Sequence, residues 1–233
     1  STMDKKDKNF DHVLSIAKEK GFAEANPQSD LNGEDVAAKL KILSSLCFNS
    51  FINHNIHVEG IKLIDKEDIK NANKLGFKIK LLGVSELIDN KVYQRVHPTM
   101  INKSTYIAGI DGVLNAVITD GKPVGQSVIQ GEGAGPGATT SALISDISSI
   151  LRGNIKFPFS ISSKERKKLN YSSISERLFS AYLRFEVLDK PGVLSNITKI
   201  FSINNVSIKR LIQNPSNSKK YSSIIIITHK SKD

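Results

Sequence analysis

Apolar residues recur at helical spacing in Phe10, Val13, Leu14 and Ala17 before Gly21 interrupts them, which predicts a first helix over residues 8–20. A polar loop over 21–30 leads to Asn32, a candidate N-cap. Behind it Glu34 and Asp35 suit the positive end of a second helix, which carries Val36, Leu40, Leu43 and Leu46 to about Phe51. The pattern then changes period. Residues 57–64 read as a strand and 66–74 as a short helix stopped by Gly76. Residues 77–87 and 91–97 read as paired strands turned by Asp89-Asn90. A second pair, 114–119 and 124–130, flanks the hairpin signal Asp120-Gly121-Lys122-Pro123, and a glycine-rich loop over 131–137 opens a helix through Leu151.

Polar residues dominate 152–178 and mark a linker. A new pattern follows: strand Tyr182–Leu188, the turn Pro191-Gly192, a helix over 193–201, then strands over 206–213 and 222–228, in the order β-α-β-β. The expected fold class is α/β (α+β), a mixed sheet covered by helices and followed by a small βαββ module. The boundaries are 1–151, 152–178 and 179–233. Ser1-Thr2-Met3 runs quickly into helix and the chain stops soon after a strong strand, so both ends read as cuts in a longer protein.

Composition narrows the classes. The longest apolar run, Ile224 to Ile227, is strand-sized, far short of the ~20 residues a spanning helix needs, and the polar first residues carry no secretory signal. The single cysteine, Cys47, forms no intrachain disulfide and sits between Leu46 and Phe48. It reads as a buried inert thiol in a cytoplasmic protein. The net charge of +10 invites a nucleic-acid reading. The basic residues are scattered and mostly lysine, and no groove-reading motif accompanies them, so neither nucleic acid nor membrane is the expected partner.

Two features carry candidate chemistry. Glu24, Asp30, Asp35 and Lys39 fall in one short window, and Asp35 and Lys39, four apart, share a helix face. A lysine flanked by acids in a cleft can hold a proton near a substrate oxygen, whereas the same spacing on open surface is only a weak ion pair. The loop of Gly131, Gly133 and Gly135 lets backbone N–H groups approach an anion or a flat ring at a helix start, or simply connects strand to helix. It lies too late in the apparent sheet for a dinucleotide fingerprint. His54 and His57 lack a third ligand at metal-like spacing, so no metal is expected; His97 before Pro98 reads as structural.

The stretch Gly21-Phe22-Ala23-Glu24-Ala25-Asn26-Pro27, then Asp30, then Gly33 to Leu40 with Asp35 and Lys39, resembles the signature of homoserine dehydrogenases. Arg95-Val96-His97-Pro98 and residues 131–146 resemble later blocks of that family in the same order; Asn26 departs from its more frequent Asp. The resemblance implies an oxidoreductase that interconverts L-homoserine and L-aspartate 4-semialdehyde with NADP or NAD. Lys39 would transfer the proton, with Asp35 beside it. Glu24, Asp30 and Asp35 would serve the substrate, and Gly21, Glu24, Gly131, Gly133 and Gly135 the cofactor. Most of the cofactor site would lie in an N-terminal Rossmann domain that this chain does not contain, so the chain alone is expected to be inactive. Residues 181–228, with Arg184 to Leu194 and Val206-Ser207-Ile208, resemble an ACT domain. That resemblance implies a homodimer or tetramer and threonine as effector near Asp189, Gly192 and Asn196. The other readings are a non-catalytic amino-acid-sensing ACT module and, last, a basic nucleic-acid binder.

Overall fold

A computed structural model describes residues 10–19, 27–154, 161–215 and 220–232. The chain divides into two compact units, Ser1–Asn170 and Tyr171–Asp233.

In the first unit, α1 spans Phe10–Glu19. After residues outside the description come a short helix α2, Gln28–Asn32, and the long helix α3, Glu34–Phe48. Asn32 ends α2 and does not cap α3, contrary to the sequence expectation. Gly33 takes that position with φ +84°, a backbone state that asparagine tolerates less well than glycine. There is also no room for a side chain, since a Cβ at Gly33 would stand 3.1 Å from a methyl of Val58 and from one of Val96. The helix ends at Phe48, not Phe51, because Asn49 turns left-handed at its C-cap.

The sheet is built on the hairpin β2 (Phe77–Ile88) and β3 (Lys91–Asn102), antiparallel over its full length. Asp89 and Asn90 both have positive φ, the conformation a two-residue hairpin turn demands. A two-residue strand, β1 (His57–Val58), runs parallel to β3 on its other side. The strand expected over 57–64 stops there because Gly60 nests on the α2 backbone, where a Cβ would come within 2.3 Å of the Leu31 carbonyl oxygen. Beyond Val96, β3 no longer has β1 beside it, which tolerates Pro98 and lets the strand outrun the expected end at His97.

Helix α3 lies on one face of this sheet. Ala37, Leu40 and Val96 form a buried cluster, with Val36, Ile56, Val58 and Leu81 packed around it. Gly83 permits the approach, since a Cβ there would lie 3.1 Å from a Val36 methyl. The buried stripe of α3 then continues through Ser44 and Ser45. Ser44 Oγ accepts from Gln94 Nε2 at 2.7 Å, and Ser45 Oγ donates to Lys41 O at 2.7 Å while accepting from Ile52 N at 3.1 Å. Those bonds are what allow two hydroxyls into the core. Cys47 falls outside this stripe and is exposed, which corrects the expectation of a buried thiol.

Helix α4 (Lys66–Lys74) starts at Asp65, whose side chain accepts from Asp68 N while Asp68 reaches back to the Asp65 N–H. A 3-10 turn over Tyr106–Gly109 precedes the hairpin β4 (Leu114–Gly121) and β5 (Gly125–Glu132), and helix α5 (Pro136–Leu151) follows. Near the end of the unit, Lys167 N donates to Asn49 O at 2.8 Å and its carbonyl accepts from Ser50 Oγ, so this stretch is held to the end of α3. A two-residue strand, β6 (Asn170–Tyr171), falls at the division between the units.

The second unit contains β7 (Tyr182–Leu188), α6 (Val193–Ile203), β8 (Ile208–Pro215) and β9 (Tyr221–Thr228), in the sheet order β7-β9-β8 and antiparallel throughout. The central strand carries Ile224, Ile225 and Ile226, all at most 2% exposed. Consecutive buried isoleucines, which point to opposite faces, are what a strand covered on both sides requires. No helix among the described residues is long and apolar enough to cross a membrane.

Candidate active site

The left-handed turn at Gly33 aims the first turn of α3. There Asp35 and Lys39 stand one helical turn apart, with Lys39 Nζ donating to Asp35 Oδ2 at 2.6 Å. Their side chains keep 60% and 40% of their exposure for Lys39 and Asp35, so the pair lies on the outward face of the helix, which continues into exposed Ile42 and Leu46. An ion pair this open contributes little to folding. It does hold an amine and a carboxylate in register on one helix face.

Asp30 lies in α2 and is exposed. Its carbonyl accepts from Gly33 N at 3.2 Å, which fixes α2 against the start of α3. The same loop is tied down by Ile61 N donating to Leu31 O at 2.9 Å and by Lys62 Nζ donating to Gln28 Oε1 at 2.6 Å. A cleft of about 340 Å³ opens beside the turn, lined by Asn32, Glu34, Val58, Glu59, Gly60, Lys62 and Leu63. Asp35 and Lys39 are not part of its lining. Gly21 and Glu24 lie outside the described residues.

The glycine loop is shorter than the sequence suggests. Gly131 and Glu132 pair with Asn115 and Leu114 in the β4–β5 ladder, which leaves only Gly133 to Gly135 between strand and helix. A Cβ on Gly133 would fall 1.4 Å from Asn115 Nδ2, so the amide of Asn115 occupies the face that a side chain would need. Gly133 N donates to Val113 O at 3.1 Å. At Gly135, φ is +108°, and Pro136 begins α5 where its missing N–H costs nothing. Cβ atoms added at Gly131 or Gly135 would meet nothing within 4 Å, so a flat ring has open backbone to lie against.

His97 lies half-buried on β3. Its Nδ1 is 2.8 Å from Pro98 O, which makes Nδ1 the protonated nitrogen, and its buried Nε2 has no hydrogen-bond partner among the described residues. Burial holds its pKa below the ordinary histidine value. The charges of Arg95 and His57 act the same way, while the Pro98 carbonyl and Glu59 oppose them. His54 is shifted in the same direction, by burial and then by Lys41. No group of three or more potential metal ligands occurs among the described residues.

A second charged cluster escaped the sequence reading. Lys78 and Lys80 project from one face of β2 onto Asp111, with Lys78 Nζ 3.2 Å from Oδ2 and Lys80 Nζ 3.3 Å from Oδ1. The visible signal was two lysines two apart within a strand, where period-2 geometry puts both on one face. Nothing in the sequence pattern gave away Asp111 as their partner.

In the second unit, a cleft of about 350 Å³ at the β7–α6 turn is lined by residues 187–194 with Gln213, Ser222 and Ile224. Asp189 and Gly192 belong to it. Asn196 lies deeper in α6, its N–H donating to Gly192 O at 3.0 Å.

This architecture is an α/β unit followed by a βαββ module, and residues 181–232 match the ACT domain family model. Residues 1–148 match the model of the homoserine dehydrogenase family, and the chain belongs to that family. Among its relatives, the homoserine dehydrogenase of Neisseria gonorrhoeae is 36% identical over 236 residues, covering 98% of this chain and 54% of that protein. The homoserine dehydrogenase of Helicobacter pylori is 35% identical over 230 residues, with 98% and 54% covered. The solved structure of a homoserine dehydrogenase from Thiobacillus denitrificans superposes with a TM-score of 0.88 at 33% identity, covering the whole of this chain and 54% of that one. The chain thus spans about half the length of the relatives it matches.

Proposed function

We propose that this chain is the substrate-binding and regulatory part of an NAD(P)-dependent homoserine dehydrogenase, interconverting L-homoserine and L-aspartate 4-semialdehyde in threonine, methionine and isoleucine biosynthesis. The observation that carries the proposal is the match of residues 1–148 to the homoserine dehydrogenase family; the Asp35–Lys39 pair at 2.6 Å, open in this chain by itself, is the acid–base pair that the reading assigns to it. Oxidising an alcohol to an aldehyde requires that a hydride and a proton leave together, and the nicotinamide cofactor supplies the hydride acceptor. In its uncharged form Lys39 takes the hydroxyl proton, directly or through one water, and Asp35 holds the resulting ammonium in place. Asp30, Asp35 and Glu24 provide carboxylates for the substrate ammonium. Gly21, Glu24, Gly131, Gly133 and Gly135 border the cofactor, NADP or NAD.

The division of labour follows the chain: residues 1–151 serve substrate, 152–178 connect, and 179–233 form part of an ACT regulatory domain with threonine as effector at Asp189, Gly192 and Asn196. The protein works in the cytoplasm as a homodimer or tetramer. Steady-state assay of the intact enzyme tests the reading, with homoserine-dependent reduction of NADP or NAD expected. An intact enzyme that binds threonine in a calorimeter yet never oxidises homoserine would favour the rival, a purely sensory ACT protein.

A further inference from the structure

The cluster of Lys78, Lys80 and Asp111 grips one segment from several directions. Lys78 Nζ donates to Ala108 O at 3.0 Å as well as to Asp111, and Lys80 Nζ donates to Ile110 O as well as to Asp111. The three side chains are only 22%, 19% and 22% exposed for Lys78, Lys80 and Asp111. Two ammoniums that have lost most of their water are therefore solvated by two backbone carbonyls and one shared carboxylate. All of these acceptors lie within residues 108–111, between β3 and β4. Residues on either side of that stretch carry two links to the glycine loop. Tyr106 OH donates to Gln130 Oε1 at 2.7 Å, one residue before Gly131. Val113 O accepts from Gly133 N, and the amide of Asn115 covers Gly133.

We infer that Lys78, Lys80 and Asp111 are positioning residues that set the glycine loop of residues 131–135 for the nicotinamide cofactor. The inference rests on the proposed reading of that loop as a border of the cofactor site. The β2 lysines hold residues 108–111, and the residues on either side, Tyr106 and then Val113 with Asn115, hold the loop. None of the three need touch the cofactor. A misplacement of the order of 1 Å at such a loop is enough to cost an enzyme heavily.

The test uses the intact enzyme with Lys80→Met and, separately, Tyr106→Phe. Tyr106 is 57% exposed, so losing its hydroxyl leaves the fold standing even if Lys80→Met does not. Direct titration with NADPH is expected to show a dissociation constant raised about tenfold or more in Lys80→Met and in the same direction in Tyr106→Phe, while the KM for homoserine changes little. Restoring the charge with Lys80→Arg should recover part of the loss. A lowered melting temperature with unchanged NADPH affinity in both variants would reduce the cluster to a structural tie and overturn the inference. If the wild-type enzyme itself fails to bind NADPH or NADH, the loop reading falls and this inference with it. Tight binding by wild type and variants alike sinks only the positioning role.

Discussion

Lys39 is exposed, pairs with a carboxylate one turn away, and gains little stability from doing so, which makes it a clean residue to remove. In the intact enzyme, Lys39→Ala is expected to lower kcat by about two orders of magnitude or more, roughly the share of a positioned acid–base group, with the melting temperature hardly moved. Turnover near the wild-type level would take Lys39 out of the mechanism. His97 allows a prediction about acid. Its folded pKa lies below the unfolded value near 6.5, chiefly because burial disfavours the imidazolium. Below that pH the unfolded chain binds a proton that the folded chain refuses, so the stability due to His97 is complete above 6.5 and lost as pH falls through its folded pKa. His54 adds a second contribution of the same sign. Urea unfolding between about pH 8 and about pH 5 should therefore show a smaller pH-dependent loss for His97→Gln than for wild type, with part of the loss remaining. Equal losses in both proteins would mean that His97 titrates alike in the folded and unfolded chain.

At the scale of elements, α3 shows what periodicity reads and what it misses. Ala37 and Leu40 fall on the buried stripe as their spacing demands, but the stripe then runs through Ser44 and Ser45 while Ile42, Leu46 and Cys47 face outward. Hydropathy cannot foresee this, because the serines are admitted by partners distant in sequence, Gln94 and the Ile52 N–H. Ser44→Ala would strip Gln94 of its Nε2 acceptor, and its Oε1 is already buried without a partner among the described residues. A cost of about 1–3 kcal/mol in chemical denaturation is expected, and the double variant Ser44→Ala with Gln94→Leu should recover much of it. If the double variant is no more stable than the single, the bond is not what holds the helix end. The β2–β3 hairpin, by contrast, was legible from Asp89-Asn90, and the βαββ order of the second unit from its alternation and its isoleucine run. Both signals are local. Gly33 displaced Asn32 as the cap of α3, and Gly60 cut β1 short, because of close backbone approaches that only the folded chain creates. Of the candidate site, the Asp35–Lys39 spacing could be read directly. The Asn115 amide over Gly133 could not, since it depends on the register of β4 against β5.

At the scale of the whole molecule, chemistry and length have to be weighed together. The chain aligns along nearly all of itself with relatives that are almost twice as long. Its own residues offer carboxylates, an amine and an open glycine loop, but that loop follows a strand of an antiparallel hairpin and not the parallel βαβ unit that holds a dinucleotide's pyrophosphate. A nicotinamide held only along one ring edge lacks the binding energy that remote phosphates and ribose contribute to the reacting geometry. The 233-residue chain by itself is therefore expected to give no detectable NADP reduction with homoserine in a steady-state assay, while the intact enzyme turns over. The βαββ unit has its own buried strand at Ile224 to Ile226 and its own cleft at the β7–α6 turn, so its ligand chemistry can be tested apart from the cofactor. Calorimetry on the intact enzyme should register threonine binding that Gly192→Val weakens, because φ at Gly192 is +89° and a branched side chain cannot adopt it without distorting the turn. Measurable turnover by the isolated chain would show that a half-site suffices for hydride transfer, and would shift the whole of the cofactor chemistry onto residues described above.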